Sequence, residues 1–152
     1  KKELSKITNP RNKKGLLEDA IKKMDVLIGV SIANQFTPEM IRSMAPAAIV
    51  FAMANPTPEM MPGAAKQAGA AVVGTGRSDF PNQVNNALVF PGIFRGAMDA
   101  HAVRITLKMG LAAAYALAGM IKSPSPEMIL PSLSDRRVAR NVARAVKQAA
   151  LR

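Results

Sequence analysis

Ala70-Ala71-Val72-Val73-Gly74-Thr75-Gly76-Arg77-Ser78-Asp79-Phe80-Pro81-Asn82-Gln83-Val84-Asn85-Asn86 begins as a short apolar run and turns, at two glycines, into a long polar loop. A β-like run ending in Gly-x-Gly predicts a strand leading into a loop that passes close to something, because glycine lets backbone approach a ligand with no Cβ in the way. Asn85 and Asn86 carry amides that donate and accept hydrogen bonds without adding charge, which suits holding a hydroxyl, a carboxylate or another amide. A second apolar run, Ile49-Val50-Phe51-Ala52-Met53, ends in Ala54-Asn55-Pro56-Thr57. Two strand ends bearing asparagines are what a ligand site at the carboxyl edge of a parallel sheet requires.

Upstream, Val26-Leu27-Ile28-Gly29-Val30 reads as a further strand, preceded by an amphipathic helix over about 15–24 with Leu16, Leu17, Ala20, Ile21 and Met24 at helical spacing. Thr37-Pro38-Glu39-Met40 has the form of a helix start: a Thr cap, Pro at the first position, and Glu beside the positive end of the dipole. The same tetrapeptide recurs after the second strand at Thr57-Pro58-Glu59-Met60, and a close copy stands at Ser125-Pro126-Glu127-Met128. A third helix is expected around 64–68. The rhythm is that of repeated β-loop-α units.

The strands are apolar throughout rather than alternating, the pattern of a parallel sheet with helices on both faces. Beyond Asn86 the sequence predicts a helix over 87–98 kinked at Pro91, a long and mostly buried helix over 103–122, and a last helix from Asp135 to Leu151. In that last helix Val138, Val142, Val146 and Ala149 face inward, with Arg137, Arg140, Arg144 and Lys147 outward. The expected fold is therefore α/β: three βα units followed by C-terminal helices. Three strands fall short of the about six of a doubly wound sheet, and no Gly-x-Gly-x-x-Gly turn follows the first strand. We read the chain as the second half of a doubly wound, Rossmann-like dinucleotide-binding domain over 1–120, with a helical extension over 121–152.

Composition bounds the alternatives. The 152 residues include 49% hydrophobic and 20% charged side chains, a globular balance. No run approaches the roughly 18 apolar residues of a membrane span. There is no cysteine and a single histidine, His101, so neither a thiolate nor a histidine cluster can bind metal; His101 is expected at the surface of a helix junction. A cytoplasmic location is consistent with this. The ten methionines are expected as core filler. The chain starts Lys1-Lys2-Glu3-Leu4, without Met or a signal-type apolar region, and is expected to be cut from something longer. Of the net charge of +11, residues 1–23 and 133–152 carry almost all. Basic ends invite a nucleic-acid reading, but one Tyr, five Phe and no Trp leave little for base stacking, and solvated faces are the better account.

Phe51-Ala52-Met53-Ala54-Asn55-Pro56-Thr57-Pro58-Glu59, the loop Gly74 to Asn86, and Phe90-Pro91-Gly92-Ile93-Phe94-Arg95-Gly96-Ala97 together resemble the bacterial-type malic enzymes. Asp25-Val26-Leu27-Ile28-Gly29-Val30-Ser31 and Ile7-Thr8-Asn9-Pro10 fit the same pattern. The resemblance runs to about Ala118 and continues more loosely to the end. It implies oxidative decarboxylation of L-malate to pyruvate and CO2 with NAD or NADP and a divalent cation, Mg2+ or Mn2+. It implies that Asn55 and Asn86 reach both substrate and nicotinamide, that Asn85 and Gly74, Thr75, Gly76 and Arg77 lie beside the cofactor, and that Ser31 ends its strand near the adenosine half.

The family's general base, a lysine, its acid, a tyrosine, and its acidic metal ligands all come from a preceding domain. Nothing here matches them, and Tyr115 lacks the surrounding motif. No catalytic acid, base or metal ligand is assigned, and the chain alone is expected to be inactive without the N-terminal part of the same polypeptide. A homo-oligomer, dimer or larger, is implied by the resemblance only. Other dinucleotide-fold dehydrogenases and noncatalytic nucleotide-binding modules remain as alternatives.

Plainer roles stand beside these. Asn55 is also a turn residue before Pro56, Asn85 or Asn86 can cap the following helix, and Arg77 with Asp79 either stiffens the loop or touches ligand. An apolar strand edge at 26–30 invites pairing, and we expect it to be covered by a partner, a neighbour or the chain's own N-terminus.

Overall fold

The computed structural model describes residues 4–151. Lys1, Lys2 and Arg152, counted above among the basic ends, lie outside the described residues. Strands β1 (Val26–Gly29), β2 (Ile49–Ala52) and β3 (Val72–Thr75) form one parallel sheet in sequential order. The register aligns Val26 with Ile49 and Val72, and Gly29 with Ala52 and Thr75. All three strands therefore end at the same edge, as the apolar runs predict. Short helices precede and link them: α1 (Leu4–Ile7), α2 (Leu17–Ala20), α3 (Pro38–Arg42) and α4 (Pro62–Gln67).

The core on one face of the sheet joins Leu27, Val50, Ala52 and Val73 to Phe36, Met40, Ile41, Met44, Met60 and Ala65. The opposite face differs from the expectation of helices on both sides. Val26 and Ile28 are exposed, and Ile49, Phe51 and Val72 only half-buried. Strand composition reports that both faces are apolar, not which segment covers them. Among the described residues β1 pairs only with β2.

After β3 a 3-10 turn (Asn86–Leu88) leads into α5 (Phe90–Asp99), then α6 (Leu107–Ala118) and α7 (Arg137–Ala150). Their own core contains Leu88, Ala97, Met109, Ala113, Leu117, Val138, Val142 and Val146. The inward and outward faces foreseen for α7 are those observed. Asp135 accepts from the Arg137 amide at 2.9 Å just before the helix.

Three helices depart from expectation. The first is shorter, α2 ending at Ala20, because Lys23 adopts a left-handed φ of 60° and donates its amide to Ser43 O at 2.8 Å. Pro91 does not kink a helix but occupies the first turn of α5, where no intrahelical donor is needed. Helix α6 starts only at Leu107, capped by Thr106, and buries one stripe, Met109, Ala113 and Leu117, while Leu111 and Tyr115 are exposed. His101 is exposed at the junction after α5, as foreseen. No helix among the described residues is long and apolar enough to cross a membrane.

Candidate functional site at the carboxyl edge of the sheet

Three loops leave the sheet at one edge: 30–36 after β1, 53–61 after β2 and 76–85 after β3. The two repeats of Thr-Pro-Glu-Met behave differently there. In the first, the Thr37 hydroxyl accepts from the Met40 amide at 3.3 Å and caps α3, as the sequence predicts. The second starts no helix, since α4 begins only at Pro62. Its Glu59 turns inward and is fully buried. One carboxylate oxygen accepts from the Ser31 amide at 2.7 Å, and the other from the Ala54 amide at 2.9 Å. Burial pushes the Glu59 carboxyl up, but the backbone donors at Ser31 and Ala54 outweigh it and hold the group below the usual carboxylate range.

The third copy forms a turn in which Ser125 and Met128 exchange backbone hydrogen bonds, and Glu127 pairs with Lys66.

The loop after β3 returns to the strand that launches it. Val84 donates its amide to Thr75 O at 2.8 Å, and Gln83 Nε2 reaches Gly76 O at 3.4 Å. Asn82 pins the return. It holds a left-handed φ of 55°, a conformation asparagine tolerates, and is 6% exposed. Its Nδ2 donates to Val73 O at 3.0 Å and to Pro126 O at 2.8 Å, while Oδ1 accepts from the Ile129 amide at 2.9 Å. Asn82→Ala strips three hydrogen bonds from the backbone at Val73, Pro126 and Ile129, so urea unfolding should show a loss of about 3 kcal/mol. An unchanged midpoint would remove Asn82 from this role.

Arg77 and Asp79 form a two-bonded ion pair at 2.9 and 2.6 Å, with the guanidinium 5.5 Å above the Phe80 ring. The Arg77 hydrogen bonds hold the Asp79 carboxyl below its ordinary value.

The residues expected to carry the site divide into two groups. Gly74 and Thr75 are buried within the strand. A Cβ at Gly74 would stand 2.6 Å from the Phe51 ring, so this glycine serves packing. Asn85 caps the 3-10 turn through the Ala87 amide at 2.9 Å. Ser31, Asn55 and Asn86 are exposed. The Asn55 and Asn86 side chains make no hydrogen bond among the described residues, and the Asn55–Pro56 peptide is cis. Gly76 has open space beside it. A Cβ added there would find only Met53 O at 3.9 Å and Val84 O at 4.0 Å. Asn55 and Asn86 each follow, by two residues, one of those carbonyls.

Open space at Gly76 and unpartnered amides on the two neighbouring loops are of a kind that can hold carboxamide and hydroxyl groups. A divalent cation does not fit the same residues: among those described, no three His, Cys, Asp or Glu side chains converge. No local pattern singles out Glu59 or Asn82, although the repeated tetrapeptide and the Pro-Asn step in the loop are both visible in the sequence.

Comparison with known proteins bears on the same segment. Residues 1–151 match the family described as "Malic enzyme, NAD binding domain". The Bifunctional malic/malolactic enzyme of Bacillus subtilis is 54% identical over 153 residues, covering 99% of this chain and 37% of that protein. The NADP-dependent malic enzyme of Escherichia coli is 40% identical, with 91% of this chain and 20% of that protein covered. The crystal structure of the NAD-dependent malic enzyme from Thermotoga maritima superposes with a TM-score of 0.91 at 48% identity, over 95% of this chain and 38% of that one. The chain thus spans about a third or less of the length of these relatives.

Proposed function

The chain belongs to the malic enzyme family through its NAD-binding domain, and on that premise we propose that it supplies the dinucleotide and part of the malate site of an enzyme that oxidatively decarboxylates L-malate to pyruvate and CO2. The observation that carries this reading is the pair Asn55 and Asn86, unpartnered and exposed on the two loops whose Met53 and Val84 carbonyls border the open position at Gly76. In this reading NAD or NADP, when bound, accepts a hydride from malate C2. Asn55 and Asn86 orient the nicotinamide and the substrate, and Ser31, at the end of β1, stands by the adenosine half.

Neutral amides suit the task. They hold the malate carboxylate and its C2 oxygen by hydrogen bonds without drawing a divalent cation away from its own ligands. The cation, Mg2+ or Mn2+, and the acid and base belong to other parts of the polypeptide, so no proton transfer is assigned to this chain. The Thr75 carbonyl, accepting from the Val84 amide, and the Asn85 side chain, accepting from the Ala87 amide, keep the loop that carries Asn86 in place.

The test is malate-dependent pyruvate formation by the full-length polypeptide with Mn2+ and each nicotinamide cofactor in turn. Turnover with one of them is expected, and residues 1–152 alone should give none. Failure of the full-length protein with both would leave a nucleotide-binding relative with another substrate.

A further inference from the structure

We propose that Glu59 is a positioning residue of the cofactor site: its carboxylate ties the Ser31 and Ala54 amides together and so fixes where Ser31 and Asn55 meet the dinucleotide. The proposal rests on the reading of this edge as the cofactor site. Its geometry is independent of that reading. One side chain, fully buried, spans the ends of two adjacent strands, with one oxygen at 2.7 Å from Ser31 N and the other at 2.9 Å from Ala54 N. The Ser31 hydroxyl lies 3.4 Å from the first oxygen. The backbone around Glu59 continues the clasp, since Phe36 donates to Glu59 O at 3.0 Å and Asn34 to Pro58 O at 3.1 Å.

All of the partners that Glu59 has among the described residues are neutral. A buried carboxylate without a cation is stable only if hydrogen bonds replace its lost hydration. Here those donors are backbone amides at the two places where the ligand loops begin. The charge therefore holds the loops and the loops hold the charge. Copies of the same glutamate elsewhere in the chain do not do this: Glu39 bonds Arg42 and Glu127 bonds Lys66, both at the surface. Asn55 directly follows Ala54, so a shift of that amide carries Asn55 with it.

The test uses the full-length polypeptide. Glu59→Gln keeps the size of the side chain but turns one acceptor into a donor that faces a backbone N–H. Hydrogen exchange should then quicken about 100-fold in residues 30–36 and 53–57 and stay unchanged in 49–52 and 72–75, as for a local opening rather than global unfolding. The KM for NAD or NADP should rise, with kcat/KM falling about 100-fold, the scale of a misplaced binding group. Glu59→Asp keeps both acceptors on a shorter stem, and should fold and raise the cofactor KM more than it lowers kcat. It serves as the test if the Gln variant does not fold.

Unchanged exchange in the two loops overturns the proposal. So does loosening of the loops with KM and kcat unaltered, which would leave Glu59 a structural acid only. If the wild-type polypeptide turns over no malate, the exchange result and equilibrium binding of NAD and NADP still decide the proposal, and the lost turnover counts against the assigned reaction instead.

Discussion

Asn55→Ala and Asn86→Ala, each in the full-length enzyme, should lower kcat/KM for malate about 100-fold while leaving thermal stability within about 0.5 kcal/mol of wild type. The two halves of this expectation have one cause. Both side chains are exposed and neither makes a hydrogen bond in the described chain, so their removal breaks nothing that folding depends on. On the proposed reading these unpartnered amides find their partners in the ligands. A factor of about 100 corresponds to about 2.7 kcal/mol of transition-state stabilisation per amide. Asn→Asp at either position should be worse than Asn→Ala, because a carboxylate there repels the substrate carboxylate as well as losing a donor. Stability loss without kinetic loss would return Asn55 and Asn86 to turn and cap roles.

Gly96→Ala should cost about 3 kcal/mol, against the usual gain of about 1 kcal/mol when an interior helical glycine becomes alanine. The steric term wins because α5 and α7 touch backbone to backbone at this point. A Cβ on Gly96 would lie 2.5 Å from Ala143 O and 2.7 Å from Val146 Cβ. A flexible side-chain tip could move aside; a helix carbonyl cannot. The helices must separate, which opens the core around Leu88, Val142 and Val146. Leu88 closes the 3-10 turn that begins at Asn86, so the packing defect also displaces Asn86, a proposed binding residue. We expect a lower unfolding midpoint in urea together with a raised KM. A midpoint equal to wild type, or higher, would mean that the two helices part without cost.

The contrast between Glu39 and Glu59 shows what the sequence made legible. Three apolar runs are enough to foresee three parallel strands that end at one edge. The same tetrapeptide after two strands, however, gives the rhythm of repeated β-loop-α units without showing which copy is a helix start. Only the first is one, because its Thr37 hydroxyl satisfies a local donor. The second is decided by partners 28 and 5 residues away, the Ser31 and Ala54 amides, which no local pattern encodes. Asn82 was hidden for the same reason: its partners Val73, Pro126 and Ile129 come together only in three dimensions. Helix α6 reads as mostly buried because Ala and Leu dominate it, yet the exposed Leu111 and Tyr115 show that composition does not fix a face.

The direct test of the central claim is transfer of deuterium from malate labelled at C2, by the full-length protein with its preferred cofactor. Deuterium on C4 of the reduced nicotinamide, in step with the pyruvate and CO2 released, is the predicted result. Unlabelled reduced cofactor, or no reduction at all, would contradict the account.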